Sequence, residues 1–323
     1  MLLQSCWLFP NPGDDDEESY LEKEFLSVAG AEYHEGSFPA ATIHETIDGI
    51  SLKNKVLKGG LNLVTIRTDK VYKCFYIGVK GVPGYLAYTP EDNITRATSG
   101  SNEYTIPVMY STGLDNSITM IIAGEDSNDD VTEPYEQEID FVDSQTGKLH
   151  VNLTFENDKD VDLHLYMPNG YHIFYGNRGY TAETTGGETV TYQLLDHDSN
   201  AGCNIDGLEQ ENIEIPEELI QSGTYRVVVD MFKNCNTSIP TNWAITAQYA
   251  DQLINVTSGS NPAMGTYPVG AGNGDMTTVM EFTINANRRA PLEIKENSLI
   301  PIPLNDMDMM KLEEAKFNME FGK

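Results

Sequence analysis

The chain has 323 residues, 40% of them hydrophobic and 9% aromatic, which is enough for two domains with full cores. Fifty acidic residues against 20 Lys and Arg leave a formal charge of -30, a field that repels nucleic acid phosphates and attracts divalent cations. Nucleic acid is excluded as a partner, and no apolar run reaches the roughly 18 to 20 residues that a membrane-spanning helix needs.

Residues 1–24 read as an anchor and a tether. Met1-Leu-Leu-Gln-Ser-Cys6 resembles the tail of a bacterial lipoprotein signal, with small Ser5 before a Cys6 that would carry the lipid. It departs from that pattern because the charged and apolar stretches of a signal peptide are not seen before it. Asn11-Pro-Gly-Asp-Asp-Asp-Glu-Glu-Ser19 cannot collapse onto a core, since like charges combine with Pro and Gly. An acidic run soon after the lipid cysteine also resembles the signal that sends Bacteroidetes lipoproteins to the outer face of the outer membrane. The expectation is an extracytoplasmic, surface-exposed outer membrane lipoprotein that touches the membrane through its lipid alone.

The next segment, 25–142, is expected to be an antiparallel β-sandwich. Leu61–Ile66, Cys74–Val79, Tyr104–Tyr110 and Ser117–Ala123 are β-branched or aromatic runs bounded by Gly, Asn and Asp. Cys74 lies inside its strand and reads as a small buried hydrophobe. Asp143-Ser-Gln-Thr-Gly147 is a turn signal, and a second sandwich is expected over 143–287. Its strands begin with Leu149–Phe155, whose strict alternation predicts a half-buried strand. They continue through Val161–Tyr166, Tyr171–Tyr175, Val190–Leu195, Thr224–Phe232, Trp243–Tyr249 and Thr278–Ile284. The fold class is therefore all-β, two Ig-like or jelly-roll-like sandwiches in tandem. A Pro-containing tail, 288–323, ends in a short helix over roughly Met307 to Asn318, with Asn305 as N-cap and a stripe of Met309, Leu312, Ala315 and Phe317 docking on its own sandwich.

One order of motifs occurs twice. Thr98-Ser-Gly-Ser-Asn102 precedes an aromatic-containing Pro-Val strand and then Ser117–Ala123, and Thr257-Ser-Gly-Ser-Asn261 precedes Tyr267-Pro-Val269 and then Thr277–Ile284. The repetition would follow if each domain closed with the same kind of hairpin, and chance recurrence of two loops built from common turn residues is the commoner reading.

Enzyme signatures are missing: there is no Gly-x-Ser-x-Gly elbow, zinc-protease helix, Gly-rich phosphate loop or Cys-x-x-Cys pair. His164 and His172 are placed to face each other across a hairpin, but a neutral β-face histidine is the commoner reading. Asp160 and Asp162 share one face of a strand because side chains two apart point the same way. Asp196-x-Asp198-x-Asn200 has the alternate oxygen ligands with which a calcium loop opens. It departs from the EF-hand pattern, with Ala201 where that loop has Gly and no flanking helices. Together these residues predict a Ca²⁺ site with ligands Asp160, Asp162, Asp196, Asp198 and Asn200, closed or supported by Asn177 and Glu211. Turn capping by the same acids is the alternative. Cys203 and Cys235 each sit in a turn-rich context beside a strand, which suits a disulfide in an oxidising compartment.

Asp160-Val-Asp-Leu-His-Leu, Pro168-Asn-Gly170, Ile173-Phe-Tyr-Gly-Asn177, Gly186-Gly187, Leu195-Asp196 and Glu211-Asn-Ile213 resemble, in this order, the YfaP-type domain of bacterial secreted proteins. The resemblance covers residues 149–284 and implies a β-sandwich and an extracytoplasmic setting rather than an activity. The function expected is a non-catalytic surface lipoprotein, binding an extracellular glycan or protein through loops that Ca²⁺ stiffens. The alternative is an accessory hydrolase acting on polysaccharide or peptide through Asp and Glu of the second domain.

Overall fold

The computed structural model describes residues 19–90, 95–96, 101–145, 147–235, 238–272, 274–285 and 300–321. Cys6 and most of the acidic run, 14–18, lie outside the described residues. The chain divides into two compact units, Met1–Val142 and Asp143–Lys323.

The first unit opens on the helix Tyr20–Glu24, where Ser19 accepts from the N–H of Glu22 and the Glu22 carboxylate reaches back to Ser19. Leu26–Val28, Asn102–Tyr110, Leu61–Thr68 and Ile50–Ser51 form one sheet in that order, with Thr95–Arg96 added to Asn102–Tyr110. The second sheet runs Glu32–His34, Tyr85–Tyr88, Tyr72–Val79, Ile118–Asp126, Tyr135–Val142 and Lys55–Leu57. Val64, Ile66, Phe75, Ile77, Ile106, Met120 and Ile122 fill the core. Cys74 is buried. The expected antiparallel order has one exception, because Lys55–Leu57 pairs in parallel with Tyr135–Val142. Nearly eighty residues separate the two strands, which leaves chain enough for the crossover that a parallel pair requires.

In the second unit one sheet runs Leu195–His197, Gln210–Ile215, Leu149–Phe155, Thr241–Tyr249 and Gln252–Leu253, with Ala263–Tyr267 also on Thr241–Tyr249. The opposing sheet runs His172–Ile173, Asp160–Tyr166, Gly223–Lys233, Asp275–Ile284 and Val256–Gly259. Between them lie Val151, Leu153, Phe155, Val161, Leu163, Leu165, Tyr225, Val227, Val229 and Phe282. Near the start of its strand, the Tyr225 hydroxyl donates to the carbonyl of Gln221 at 3.0 Å, a tie of the kind that steadies sandwich corners.

Three local expectations are corrected. Leu149–Phe155 is buried along its whole length rather than on one face. As a central strand it can hide its polar residues because they are bonded: Asn152 donates to Glu211 O at 3.1 Å, and His150 pairs with Glu214. Of the run Tyr171–Tyr175, only His172–Ile173 pairs with a neighbouring strand. The repeated motif does not close hairpins either. In each unit the Tyr-containing strand and the strand that follows lie in different sheets: Asn102–Tyr110 and Ile118–Asp126 in the first, Ala263–Tyr267 and Asp275–Ile284 in the second.

The tail belongs to the second unit. Ile300–Pro301 pairs with Gly179–Glu183, which also pairs with Thr189–Gln193. The helix spans Asp306–Phe321, and the Asp308 N–H donates to Asn305 Oδ1 at 2.8 Å, so Asn305 caps it. Leu312 and Ala315 pack on the core, whereas Met309 is 46% exposed. The side chain of Phe317 lies outside the described residues. The buried face is Asp308, Lys311, Leu312 and Ala315, the i, i+3, i+4, i+7 spacing with polar residues in half its positions.

A buried acidic cluster as candidate cation site

The strand Asp160–Tyr166 sends Val161, Leu163 and Leu165 into the core, so Asp160, Asp162 and His164 point to its other face. That face would normally be wet. Here Asp160 is 0%, Asp162 1% and His164 3% exposed. The turn Ala201–Cys203 packs on both this strand and the C-terminal helix.

The helix supplies a cation. Lys311 Nζ donates to Asp162 Oδ1 at 2.6 Å, Asp160 Oδ1 at 3.0 Å and Asp198 Oδ1 at 3.1 Å. It also stands over the rings of Tyr175 and Phe232, 4.5 and 4.9 Å from their centroids. Burial opposes the charged ammonium, but Asp162, Asp198, Asp160 and Glu211 together hold its pKa well above the ordinary lysine value. Burial lifts Asp160 up to about 6 against the pull of Lys311, and lifts Asp162 well above the carboxylate range with Asp160 and Asp198 adding repulsion. For Asp198 burial is outweighed, since Lys311, Asp308 and Arg178 all favour its anion.

The expected ligands divide into two groups. Asp160, Asp162 and Asp198 converge, with carboxylate oxygens within 4.8 Å of one another. The others have separate work. Asp196 Oδ2 accepts the N–H of Gln145 at 2.7 Å and pins the start of the unit. Asn200 takes a left-handed backbone, donates to Lys159 O at 2.8 Å and accepts the N–H of Asp206 at 3.1 Å. Asn177 donates to His172 O at 2.6 Å and accepts from the Tyr171 hydroxyl at 2.9 Å, closing its hairpin. His172–Ile173 pairs only with Leu165 and Tyr166, which leaves the Leu163 N–H at an open edge. Glu211 Oε2 takes it at 2.7 Å.

Cys203 and Cys235 are bridged, with Cα atoms 5.4 Å apart. The bridge ties the turn that carries Gly202 to the end of Gly223–Lys233. Gly202, at φ 61°, aims its N–H at Asp160 Oδ2, 2.8 Å away. Behind the cluster Arg178 Nη1 donates to Asp308 Oδ2 at 2.9 Å, and Asp308 is within hydrogen-bonding reach of Asp198.

His164 and His172 do meet, Nδ1 to Nε2 at 2.9 Å. Burial pulls them down to about 3 and about 4, so both are neutral at pH 7. His172 is stacked between Tyr166 and Phe174 at centroid distances of 4.0 and 4.2 Å.

Sequence reasoning missed Lys311, Asp308, Arg178 and Asp230. A signal for Lys311 existed: it shares a helix face with Leu312 and Ala315, and it is a scarce cation in a chain of charge -30. Nothing in its spacing named its partners.

No protein-family model matches the chain, and no curated protein matches it. Among solved structures, the C-terminal domain of the Streptococcus agalactiae AgI/II polypeptide BspA is similar at 8% identity, covering 72% of this chain and 96% of that one, with a TM-score of 0.19. SGBP-B of the Bacteroides ovatus mixed-linkage glucan utilization locus, solved with a mixed-linkage heptasaccharide, is similar at 14% identity. That match covers 76% of this chain and 64% of the other, with a TM-score of 0.18.

Proposed function

We propose that the protein is a non-catalytic extracytoplasmic binding module, a surface lipoprotein of YfaP-type kinship that presents loops of its second sandwich to a glycan or protein ligand. The observation that carries this reading is the sealing of the acids that a hydrolase would use. A catalytic carboxyl must come within hydrogen-bond reach of its substrate. Asp160, Asp162 and Glu211 are each at most 1% exposed, and Lys311 is ion-paired with the first two. The Cys203–Cys235 bridge suits an oxidising compartment. Among the described residues no helix is long and apolar enough to cross a membrane, and in this reading the lipid on Cys6 is the attachment.

In the same reading Lys311 is the resting counter-ion of Asp160, Asp162 and Asp198, and Ca²⁺ is its competitor for those oxygens. The test probes glycan and protein arrays with the full chain, with and without EDTA, beside hydrolysis assays on the glycans bound. Saturable binding without turnover is expected. Turnover that disappears in a folded Asp160→Asn variant would replace the reading with a hydrolase. Thermal melting in Ca²⁺ and in EDTA tests the competitor. A rise of several degrees with Ca²⁺ supports it, and a melting point indifferent to both removes calcium and leaves the ammonium alone.

A further inference from the structure

One strand pair beyond Lys311, a second group of side chains converges without any counter-ion of its own. Asp162 lies directly opposite Asp230 in the pairing of Asp160–Tyr166 with Gly223–Lys233, and His164 is two residues along the same face. Each of the three offers a ligand atom within 4.8 Å of the others. They are 1%, 6% and 3% exposed. Asp162 Oδ2, His164 Nε2 and Asp230 Oδ1 are all buried without a hydrogen-bond partner among the described residues. Three such atoms on converging side chains are costly, since each is shut away from water and gains no hydrogen bond in return.

We propose that Asp162, His164 and Asp230 form a binding site for one first-row divalent metal ion of the Zn²⁺ class. Ligands about 2.1 Å from a four-coordinate ion lie roughly 3.4 Å apart, so side-chain shifts of about an ångström bring all three onto a common ion. An imidazole with two carboxylates suits Zn²⁺ or its neighbours better than Ca²⁺, which takes oxygen alone. Three protein ligands leave a fourth position open.

The surroundings have the form that a metal-bound histidine requires. His164 Nδ1 is 2.9 Å from His172 Nε2. With the proton on His164 Nδ1, His172 fixes the tautomer that leaves the buried Nε2 lone pair free for a metal. His172 is itself clamped between Tyr166 and Phe174, with Arg226 4.0 Å over the Tyr166 ring. Charge favours the same assignment. Asp160, Asp162, Asp198, Glu211 and Asp230 put five carboxyls around the single ammonium of Lys311, while Asp308 has Arg178. Asp162 bridges the two positions, with Oδ1 on the ammonium and Oδ2 still without a partner.

The experiment titrates Co²⁺, a spectroscopic stand-in for Zn²⁺, into the full chain without a polyhistidine tag, following the visible d–d absorption and the stoichiometry. One equivalent is expected, displaced by Zn²⁺ and not by excess Ca²⁺. Asp230→Asn and His164→Gln, shown folded by circular dichroism, should lose that equivalent. His172→Phe should weaken it about 10- to 100-fold, the usual effect of losing the partner behind a metal-bound histidine. Asp198→Asn should keep it. Absence of a stoichiometric equivalent, or an equivalent retained in both Asp230→Asn and His164→Gln, overturns the proposal. Loss in Asp198→Asn with retention in His164→Gln also overturns it and moves the ion to the Asp160–Asp198 trio.

Discussion

Lys311 decides the energetics of the cluster at the scale of single residues. Its side chain is fully buried and pairs with three aspartates, Asp160, Asp162 and Asp198, whose own side chains are at most 2% exposed. Removing one partner of a buried ion pair leaves uncompensated charge and costs about 3–5 kcal/mol, far above the worth of an exposed pair. Lys311→Met keeps the length and apolar stem of the side chain while deleting the charge. Urea denaturation of the second unit should therefore show a loss of about 3–5 kcal/mol. A change below about 1 kcal/mol, the usual worth of an exposed pair, would mean that protons already neutralise the three aspartates. Exposed pairs such as Lys80–Glu136 offer the contrast, and their removal should be nearly silent.

At the scale of elements, the turn Ala201–Cys203 holds strand and helix in register. Asn200, Gly202 and Cys203 all have positive φ, an arrangement with little intrinsic stability in two non-glycine residues. The disulfide compensates by tying the turn to the end of Gly223–Lys233 across a separation of 32 residues. On the chain-entropy account, a closed loop of that length stabilises by about 3–4 kcal/mol. The paired variant Cys203→Ala, Cys235→Ala should lose about that much in chemical denaturation. It should also become cleavable by protease near Gly202, because the Gly202 N–H bond to Asp160 depends on the turn. Mass spectrometry that finds both thiols unpaired in protein folded under oxidising conditions would contradict the bridge as a structural element.

On the scale of the whole molecule, each unit has its own core, one built around Phe75 and Ile106 and the other around Phe155 and Tyr225. Units of this size that bury separate cores fold as independent cooperative blocks. Fragments 19–142 and 143–323, expressed separately, should each melt cooperatively with native-like β circular dichroism. A first-unit fragment that stays unfolded alone would show that it needs its neighbour. The second fragment must retain the tail, since ending it at 304 removes Lys311 together with Leu312 and Ala315 and exposes the acidic face.

Local chemistry was enough for the all-β class. Alternating apolar residues in Val161–Tyr166 and Thr224–Phe232, with Gly, Asn and Asp between strands, dictate a sandwich whatever the partners, because a pleated strand presents its faces with period two. The Cys203–Cys235 bridge was legible for a similar reason, two turn cysteines beside strands of one domain. The half-buried reading of Leu149–Phe155 failed because periodicity reports which residues are apolar and cannot report that a central strand finds bonds for its polar face. The cation reading was likewise built from local order alone. The alternate spacing of Asp160 with Asp162, and of Asp196 with Asp198 and Asn200, announced a demand for positive charge, and that demand follows from carboxylates crowded on one strand face and an adjoining loop. What meets it lies 149 residues from Asp162, in a helix whose stripe looked like ordinary docking. Only packing decides which charge reaches a buried site, because desolvation and Coulomb energy depend on distance in space and on the exclusion of water, and neither is written in the local order of residues.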